Sequence, residues 1–488
     1  MIFATLFLRL QQQCVDLHLS RIRVDRPRPA FRERYCGIIS DGCGDVVDCG
    51  FCNGTAVCGG AGVANVCGCL PESCEQLSVE CGPTTDNCGN ALDCGDPCPA
   101  PESCGGGGVV NVCGVPGTGP FDLSGVVGCE GVFNPSQILD YHLTLPAGDW
   151  SAVLADDPAT DPEVARQAQF HCNDEPPILV SIHRKRGGGT TKVGLKIDIN
   201  AVVANQTYYG LKNLVLDNSV GCCEASDGDA GDMLREYLAW QMMRLSGTVS
   251  SRFVFVNLYV NGELLGVIGN VEAVDKVFLD DRFADDSGWL YKKSGGPGDG
   301  LKTHESDGLA GADPYDDYFC FWSSSGGGPD TCATPADVAA TLSEHLMLDQ
   351  MLRFGAVNAM VANSDSPIFK DNNYYYYDWP GTRAYLPWDL DTCMKDLNTS
   401  VFDAGSSKFV SVLFPTWEDD YDQILTALLS EPLTLAAIHQ ELDRVLAVTG
   451  AAISADPFLS ASPADEIESL KTYWATRHAA VTAQVQGH

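Results

Sequence analysis

The sequence predicts a large α+β domain preceded by small disulfide-held repeats, and three observations carry that expectation. Fifteen of the 22 cysteines fall before residue 114. Within that region two cysteine-rich segments repeat the same spacing. From about residue 120 onward, runs alternating with the period of a strand give way to runs with the period of a helix.

The bulk numbers narrow the choices further. A chain of 488 residues is long enough for two or three domains and at least one sizeable core. A hydrophobic fraction of 45% with 9% aromatic residues excludes wholesale disorder. The net charge of −35 argues against a general nucleic-acid binder and against adhesion to an anionic membrane, since both need a basic surface. No segment offers 18 uninterrupted apolar residues, so no membrane-spanning helix is expected.

The first repeat, CGIISDGCGDVVDCGFCNGTAVCGGAGVANVCG, starts at Cys36, and the second, CGPTTDNCGNALDCGDPCPAPESCGGGGVVNVCG, starts at Cys81. Six cysteines match in order with one single-residue indel, which is the mark of a tandem repeat. Units of this size bury little apolar surface, so covalent cross-links must hold them. Zinc is the rival reading, but His18 is the only histidine before His142, and disulfides in an oxidising compartment fit better. Which cysteines pair is not readable from spacing.

Cys69 and Cys74 precede the second copy without counterparts before the first, which suggests a first repeat cut short. MIFATLFLRL has no basic lead and no small-residue cleavage site, so it does not read as an export signal, and a true start upstream is expected. The predicted organisation is an N-terminal segment 1–35, two repeats over 36–113, a linker 114–120 (GVPGTGP at its core) and one domain over 121–488. A spacer or adhesive role suits the repeats, which resemble Gly- and Cys-rich modules ahead of domains in bacterial surface proteins.

Within the domain, YHLTLPAG, WSAVLA and PILVSIHRKR read as strands. GDMLREYLAWQMMRLSG has Met233, Leu234, Leu238, Met242 and Leu245 at helical spacing and closes on Gly247. FVFVNLYVNGELLGVIGNVE reads as a hairpin turning at Asn261-Gly262. DVAATLSEHLMLDQMLRFGAVNAMVAN predicts a long helix. NNYYYYDWPGTRAYLPWDLD predicts a second hairpin turning over 378–381, with the rings of Tyr374 to Tyr377 alternately buried and exposed. The last 75 or so residues read as helical. The acidic clusters ADDSG and DDYDQ read as solvated turns. Cys222-Cys223 fit separate partners or free thiols better than a redox switch, and Cys320 with Cys332 would close a small loop.

Four patterns carry chemistry, in order. HRKRGGGTTKVGLKI places Gly187, Gly188 and Gly189 between strands, where backbone N–H groups can meet phosphate, with Lys192 and Lys196 following to neutralise it. The next helix bears Glu236, which can clamp such a lysine. NSDSPIFKDNN then sets Asp365 seven and eight residues before Asn372 and Asn373, a hydroxyl-orienting carboxylate followed by a Mg²⁺-ligating amide. Finally LPWDLD ends a strand on Asp389 and Asp391, oxygen ligands for a hard cation. Each letter pattern also occurs in ordinary turns and surfaces; together they follow the order of a protein-kinase-like core.

The chain also resembles the CotH family of spore-coat and surface proteins, atypical secretory-type kinases. The resemblance rests on RGGGTTKVGLKI, DMLREYLAWQMMRLSG, VNLYVNGELLGVIGNVEAVDKVFL, GWLYKK and NSDSPIFKDNNYYYYD with YLPWDLD, roughly residues 180 to 396. It implies a two-lobed, kinase-like α+β domain that uses ATP and Mg²⁺ (or Mn²⁺) to phosphorylate Ser/Thr-rich protein segments. It implies Lys192 or Lys196 as the phosphate lysine, with Glu236 as its partner. Asp365 matches the catalytic Asp, Asn372 or Asn373 a second metal ligand, and Asp389 the metal Asp with Asp391 as helper. Glu272 falls where a hinge would pass the adenine, as a binding residue or a structural one. Lys292 fits the family pattern without an assigned role. The Gly triplet, Cys222-Cys223 and the Cys320–Cys332 insertion depart from that pattern. The alternative is a non-catalytic surface or coat protein using the same fold as a scaffold. Either reading places the protein outside the cell or on its surface, with surface or coat partners.

Overall fold

The computed structural model describes residues 64–488 with gaps, together with short pieces between 36 and 60; the longer gaps are 116–122, 157–163, 186–191, 219–229, 294–299 and 304–341. The Gly187–Gly189 turn, Cys222-Cys223 and the Cys320–Cys332 loop lie outside the described residues. The chain divides into two compact units. One comprises residues up to Ser78 with Thr85–Leu92, and the other Val79–Thr84 with Asp93–His488. Compactness therefore does not break at 114–120: most of the second repeat belongs with the large unit. There Val110 is buried in the main core, and its N–H donates to the Arg282 carbonyl at 2.9 Å.

The repeats are disulfide-held in the same way. Cys36–Cys58 and Cys52–Cys67 in the first copy match Cys81–Cys104 and Cys98–Cys113 in the second. In both, the Asn of the NVCG ending takes a left-handed backbone, φ 62° at Asn65 and 59° at Asn111. Its side-chain amide donates to the carbonyl of the first cysteine, Cys36 or Cys81, at 3.0 and 2.7 Å. An Asn tolerates that backbone and supplies the donor, so the motif recurs for a mechanical reason. Cys69 pairs with Cys88, the second cysteine of the second copy.

The domain opens with strand β1 (Leu139–Thr144), helix α1 (Asp149–Ala155), β2 (Arg166–Cys172), β3 (Ile178–Arg184), β4 (Leu195–Asp198) and β5 (Asn213–Asp217). Helix α2 (Ala230–Leu245), the hairpin β6 (Phe253–Val260) and β7 (Glu263–Val271), and α3 (Lys276–Arg282) follow. Seven strands close a barrel in the order β2-β3-β4-β5-β7-β6-β1, antiparallel except for β6 beside β1. Alternate residues such as Tyr141, Phe170, Ile182, Ile197, Leu216 and Val256 fill its interior. The β6–β7 hairpin turns on Asn261 and Gly262, both at positive φ, as expected. Its outer face packs Phe253, Phe255 and Val267 against α2, so FVFV reads as an unbroken apolar run.

WSAVLA is a helix, α1, and not a strand. Trp150, Val153 and Leu154 share one helical face against the barrel core. Arg184 donates to the Leu154 and Asp156 carbonyls at 2.7 and 2.9 Å, tying down its C-terminal end.

Next come β8 (Trp289–Lys293), β9 (Gly300–Leu301), α4 (Leu348–Met360), α5 (Pro367–Lys370), β10 (Tyr374–Trp379) and β11 (Thr382–Pro387). These strands form a second, antiparallel sheet in the order β9-β8-β10-β11. The predicted long helix is interrupted: Leu342 is helical, but His345 to Met347 are not, with Leu346 bridging Arg383 of β11, and residues 337–341, 343 and 344 lie outside the described ones. All four rings of Tyr374 to Tyr377 are buried, not alternate ones. One face of β10 meets Phe354, Tyr291 and Phe409, and the other meets Trp388 and Phe283. Alternation fails when both faces of a sheet are covered.

Helices α6 (Glu418–Ser430), α7 (Leu435–Ala455) and α8 (Pro463–Gly487) complete the chain, as its composition predicted. DDYDQ opens α6 instead of forming a turn, with Asp419 and Asp420 at the favourable N-terminal pole. Among the described residues no helix is long and apolar enough to cross a membrane.

Cys129–Cys172 anchors the segment before β1 to the barrel interior across 43 residues. A loop of that length restricts the unfolded chain enough that replacing both cysteines with alanine should cost about 2–4 kcal/mol. A lowered urea midpoint checks this, and an unchanged midpoint would show that the bond adds nothing.

Candidate functional site

The barrel rim and the end of β11 meet around a group of charges that neither could hold alone. Lys185 continues β3, its N–H donating to the Gly194 carbonyl at 2.9 Å, and its ammonium forms an ion pair with Asp217 at the end of β5. Burial works against the charged lysine, but Asp217, Asp389 and Glu236 outweigh it and hold the ammonium above its ordinary pKa. Glu236 is buried on α2 and accepts from the Trp240 indole at 3.2 Å. Lys292 on β8 lies 4.8 Å from the centre of the Trp388 ring and 5.5 Å from that of Tyr375. Burial and the charge of Lys185 push its pKa down to about 8.

Asp389 and Asp391 are half-buried and hydrogen-bonded to each other. Burial and Asp217 push the Asp389 carboxyl up, against the pull of Lys185 and Lys292. Burial, Asp389 and Glu236 push Asp391 much further. Two carboxyl groups held together out of water must share a proton or a cation. Among the described residues, the only triplets of His, Cys or carboxylate ligand atoms within 4.8 Å of one another are cystine sulfurs already in disulfides. The site thus offers a carboxylate pair, the number with which Mg²⁺ is commonly held when phosphate oxygens and water supply the rest.

Asp365 sits on the short segment between α4 and α5. Its Oδ2 accepts from the Asn373 amide at 3.1 Å, and its Oδ1 is 3.2 Å from the Lys370 ammonium. The Asp365 N–H donates to Thr392 Oγ1 at 3.2 Å, and Thr392 donates to the buried Asn363 at 2.8 Å, which joins this loop to the Asp389-x-Asp391 turn. The register Tyr374↔Pro387 puts Asn373 beside Trp388. Asn372 Oδ1 is buried and accepts no hydrogen bond among the described residues. The loop springs from a fixed point: buried Arg477 of α8 donates to the Ala359 and Met360 carbonyls at 2.8 and 3.0 Å, capping α4. Asp371, Asn373, Asp389 and Met394 all take left-handed backbone, and such conformations collect where surrounding structure overrides local preference, often at functional sites.

Other predicted residues lie elsewhere. Lys192 is 1% exposed and committed to Asp456, 2.6 Å away at the end of α7. Lys196 pairs with Asp198 at 2.7 Å on the barrel exterior, 36% exposed. Neither is the lysine beside Asp389; Lys185 is. The basic run HRKR before the glycines held that signal. Glu272 lies in an ion-pair network: its carboxylate is divided between Arg252 and Arg282, 2.8 Å from the latter, and these guanidinium groups lower its pKa against the effect of burial. Sequence reasoning missed Asp217, although NLVLD ends a strand on a carboxylate just as YLPWDLD does. The one free cysteine among the described residues, Cys393, is buried, its thiol pushed up in pKa by burial and by Glu236.

A mixed α/β domain that brings a carboxylate pair and two lysines together beside an Asp–Asn loop has the equipment to handle an anionic, metal-bound group. A family model described as CotH kinase protein matches residues 186–481, more than half of the sequence, and the chain belongs to the CotH family. No curated protein matches it.

Proposed function

We propose that the chain is an atypical, secreted or surface protein kinase that transfers the γ-phosphoryl group of ATP to a protein Ser/Thr hydroxyl. The barrel with α2 would form one lobe, and the second sheet with the C-terminal helices the other. The observation that carries this reading is the meeting of Lys185, Asp217 and Glu236 with Asp389 and Asp391, next to the Asp365–Asn373 pair.

Asp365 would hold the acceptor hydroxyl and take its proton as the oxygen attacks phosphorus and the bond to the departing ADP oxygen breaks. Asn373 and Lys370 keep that carboxylate aimed. Lys185 and Lys292 oppose the phosphate charge. Asp389 and Asp391, with Asn372 or Asn373, would hold Mg²⁺ or Mn²⁺, which supplies charge neutralisation when bound. The disulfides support an oxidising, extracytoplasmic setting, where surface or coat proteins would be the acceptors.

Incubation with labelled ATP and Mg²⁺ tests the reading. Wild-type protein should phosphorylate itself or a Ser-rich acceptor, and Asp365→Ala should lower the rate by about 10²–10⁴-fold, the usual contribution of a positioned base. No incorporation together with no metal-dependent nucleotide binding by the wild type would sink the kinase reading and leave the scaffold role.

A further inference from the structure

Three outward-facing rings line up on adjacent strands of the barrel wall. His171 of β2 sits directly opposite His142 of β1, and His142 directly opposite Tyr259 of β6. The His142 ring lies between the other two, its centre 4.5 Å from that of His171 and 4.6 Å from that of Tyr259, with planes 9° and 16° apart. Alternation puts them there: Leu139, Tyr141 and Leu143 of β1 point into the barrel, so Asp140 and His142 point out. All three rings are half-exposed. Two of the chain's nine histidines thus share one small patch.

His171 is held in one tautomer. Its Nδ1 lies 2.7 Å from the Asn173 carbonyl, so Nδ1 carries the proton and donates it, and Nε2 keeps a lone pair. Asn173 takes left-handed backbone, φ 47°, and is itself fixed to β1. Its N–H donates to the Asp140 carbonyl at 2.7 Å, and its side-chain oxygen accepts from the Asp140 N–H at 3.0 Å. An imidazole whose second nitrogen donates to a firmly held carbonyl is the usual support of a metal ligand. His142 makes no side-chain hydrogen bond among the described residues; its ring neighbours hold it. Burial and His171 lower its pKa against the pull of Asp140 and Asp174, so its ring is neutral at neutral pH and also offers a lone pair. Asp140 gives one oxygen to the Asn257 amide at 2.8 Å. Two carboxylates beside two uncharged imidazoles leave a local negative charge that a cation offsets.

We propose that His142 and His171 bind one divalent transition-metal cation of the Zn²⁺, Ni²⁺ or Cu²⁺ type, with water in the remaining positions and Asp140 and Asp174 lending negative charge from either side. Imidazole nitrogen suits these ions, whereas Mg²⁺ and Ca²⁺ take oxygen ligands. A tetrahedral ion with bonds of about 2.0–2.1 Å needs its two nitrogens about 3.3 Å apart. That is roughly 1 Å less than the 4.5 Å between the ring centres, a closure that two half-exposed side chains reach by small rotations. The ion would join β1 to β2 on the outer wall of the barrel, as a site of its own beside the Asp389–Asp391 pair at the end of β11.

Calorimetric titration of the full chain with Zn²⁺ tests this, without nucleotide and in excess Mg²⁺ to saturate sites made of oxygen alone. The readout is metal binding, so it stands whether or not the chain proves to be a kinase. His142→Phe keeps a ring between His171 and Tyr259 while removing one ligand, and His171→Gln removes the other. Each should lose one bound equivalent of Zn²⁺ or hold it at least about tenfold more weakly, the cost that disturbing even a ligand's support carries. Tyr259→Phe keeps the stack and both ligands and should bind like wild type. The proposal is overturned if folded wild-type protein binds no Zn²⁺ under these conditions, or if either folded histidine variant matches wild type. It is overturned as well if Tyr259→Phe loses the same equivalent, since the loss would then follow from the stack and not from the ligands. Both histidines are half-exposed and each variant is read separately, so either one decides the matter should the other fail to fold.

Discussion

Lys185→Met is expected to lower phosphoryl transfer by about 10²–10³-fold, the cost of losing one preorganised charge in a site shielded from water. Lys196→Met should stay near the wild-type rate. The difference follows from placement and not from residue type. Lys185 points into a group formed by Asp217, Glu236 and Asp389, whereas Lys196 is occupied by Asp198 on the outer wall of the barrel. Lys185→Arg keeps the charge and should retain part of the activity. Each rate is compared at a temperature where circular dichroism shows the variant folded, because Lys185→Met leaves Asp217 without its ion pair. The assignment fails if Lys185→Met keeps full activity while Lys196→Met loses it.

That prediction also marks where the sequence stops being readable. Strands, helices and both hairpins could be seen because periodicity and turn residues act locally: Asn261-Gly262 needs only its own backbone preference to close β6–β7. The Asp365–Asn373 pair was visible because the two residues lie only eight positions apart in the sequence. The lysine was not, because its identity depends on which strand of a closed barrel ends opposite Asp389. Three lysines within twelve residues offer the same letters, and only the register of β3, β4 and β5 separates them. The family match begins at residue 186, one position after Lys185, so the family pattern does not supply it either. The two readings of Glu272 stayed open for a related reason. A buried carboxylate in a segment of expected function looks like a binding residue until the two arginines that neutralise it come from elsewhere in the chain. The tyrosine run failed because alternation assumes one wet face, and β10 has none.

Asp456→Ala is expected to destabilise the protein by about 3–5 kcal/mol, because it strands a buried ammonium. Asp456 ends α7, and its Oδ2 accepts from Lys192 at 2.6 Å and from the Val267 N–H of β7 at 2.7 Å. Its Oδ1 accepts from the Phe458 N–H at 2.9 Å. The carboxylate reaches β7 only because residue 266 is glycine: a Cβ there would collide with it, and φ is +123°. Burial lowers the Lys192 pKa, and the neighbouring Asp456 carboxylate opposes that shift without cancelling it. One interaction therefore joins the barrel to the C-terminal helices. Lys192→Met should cost less than Asp456→Ala, since it leaves the backbone N–H groups of Val267 and Phe458 with their acceptor. Gly266→Ala should rank among the damaging variants although it adds a single methyl group. Urea unfolding reads all three as shifts in midpoint. If Asp456→Ala unfolds at the wild-type midpoint, Lys192 is not the structural residue assigned here, and its candidacy for the phosphate reopens.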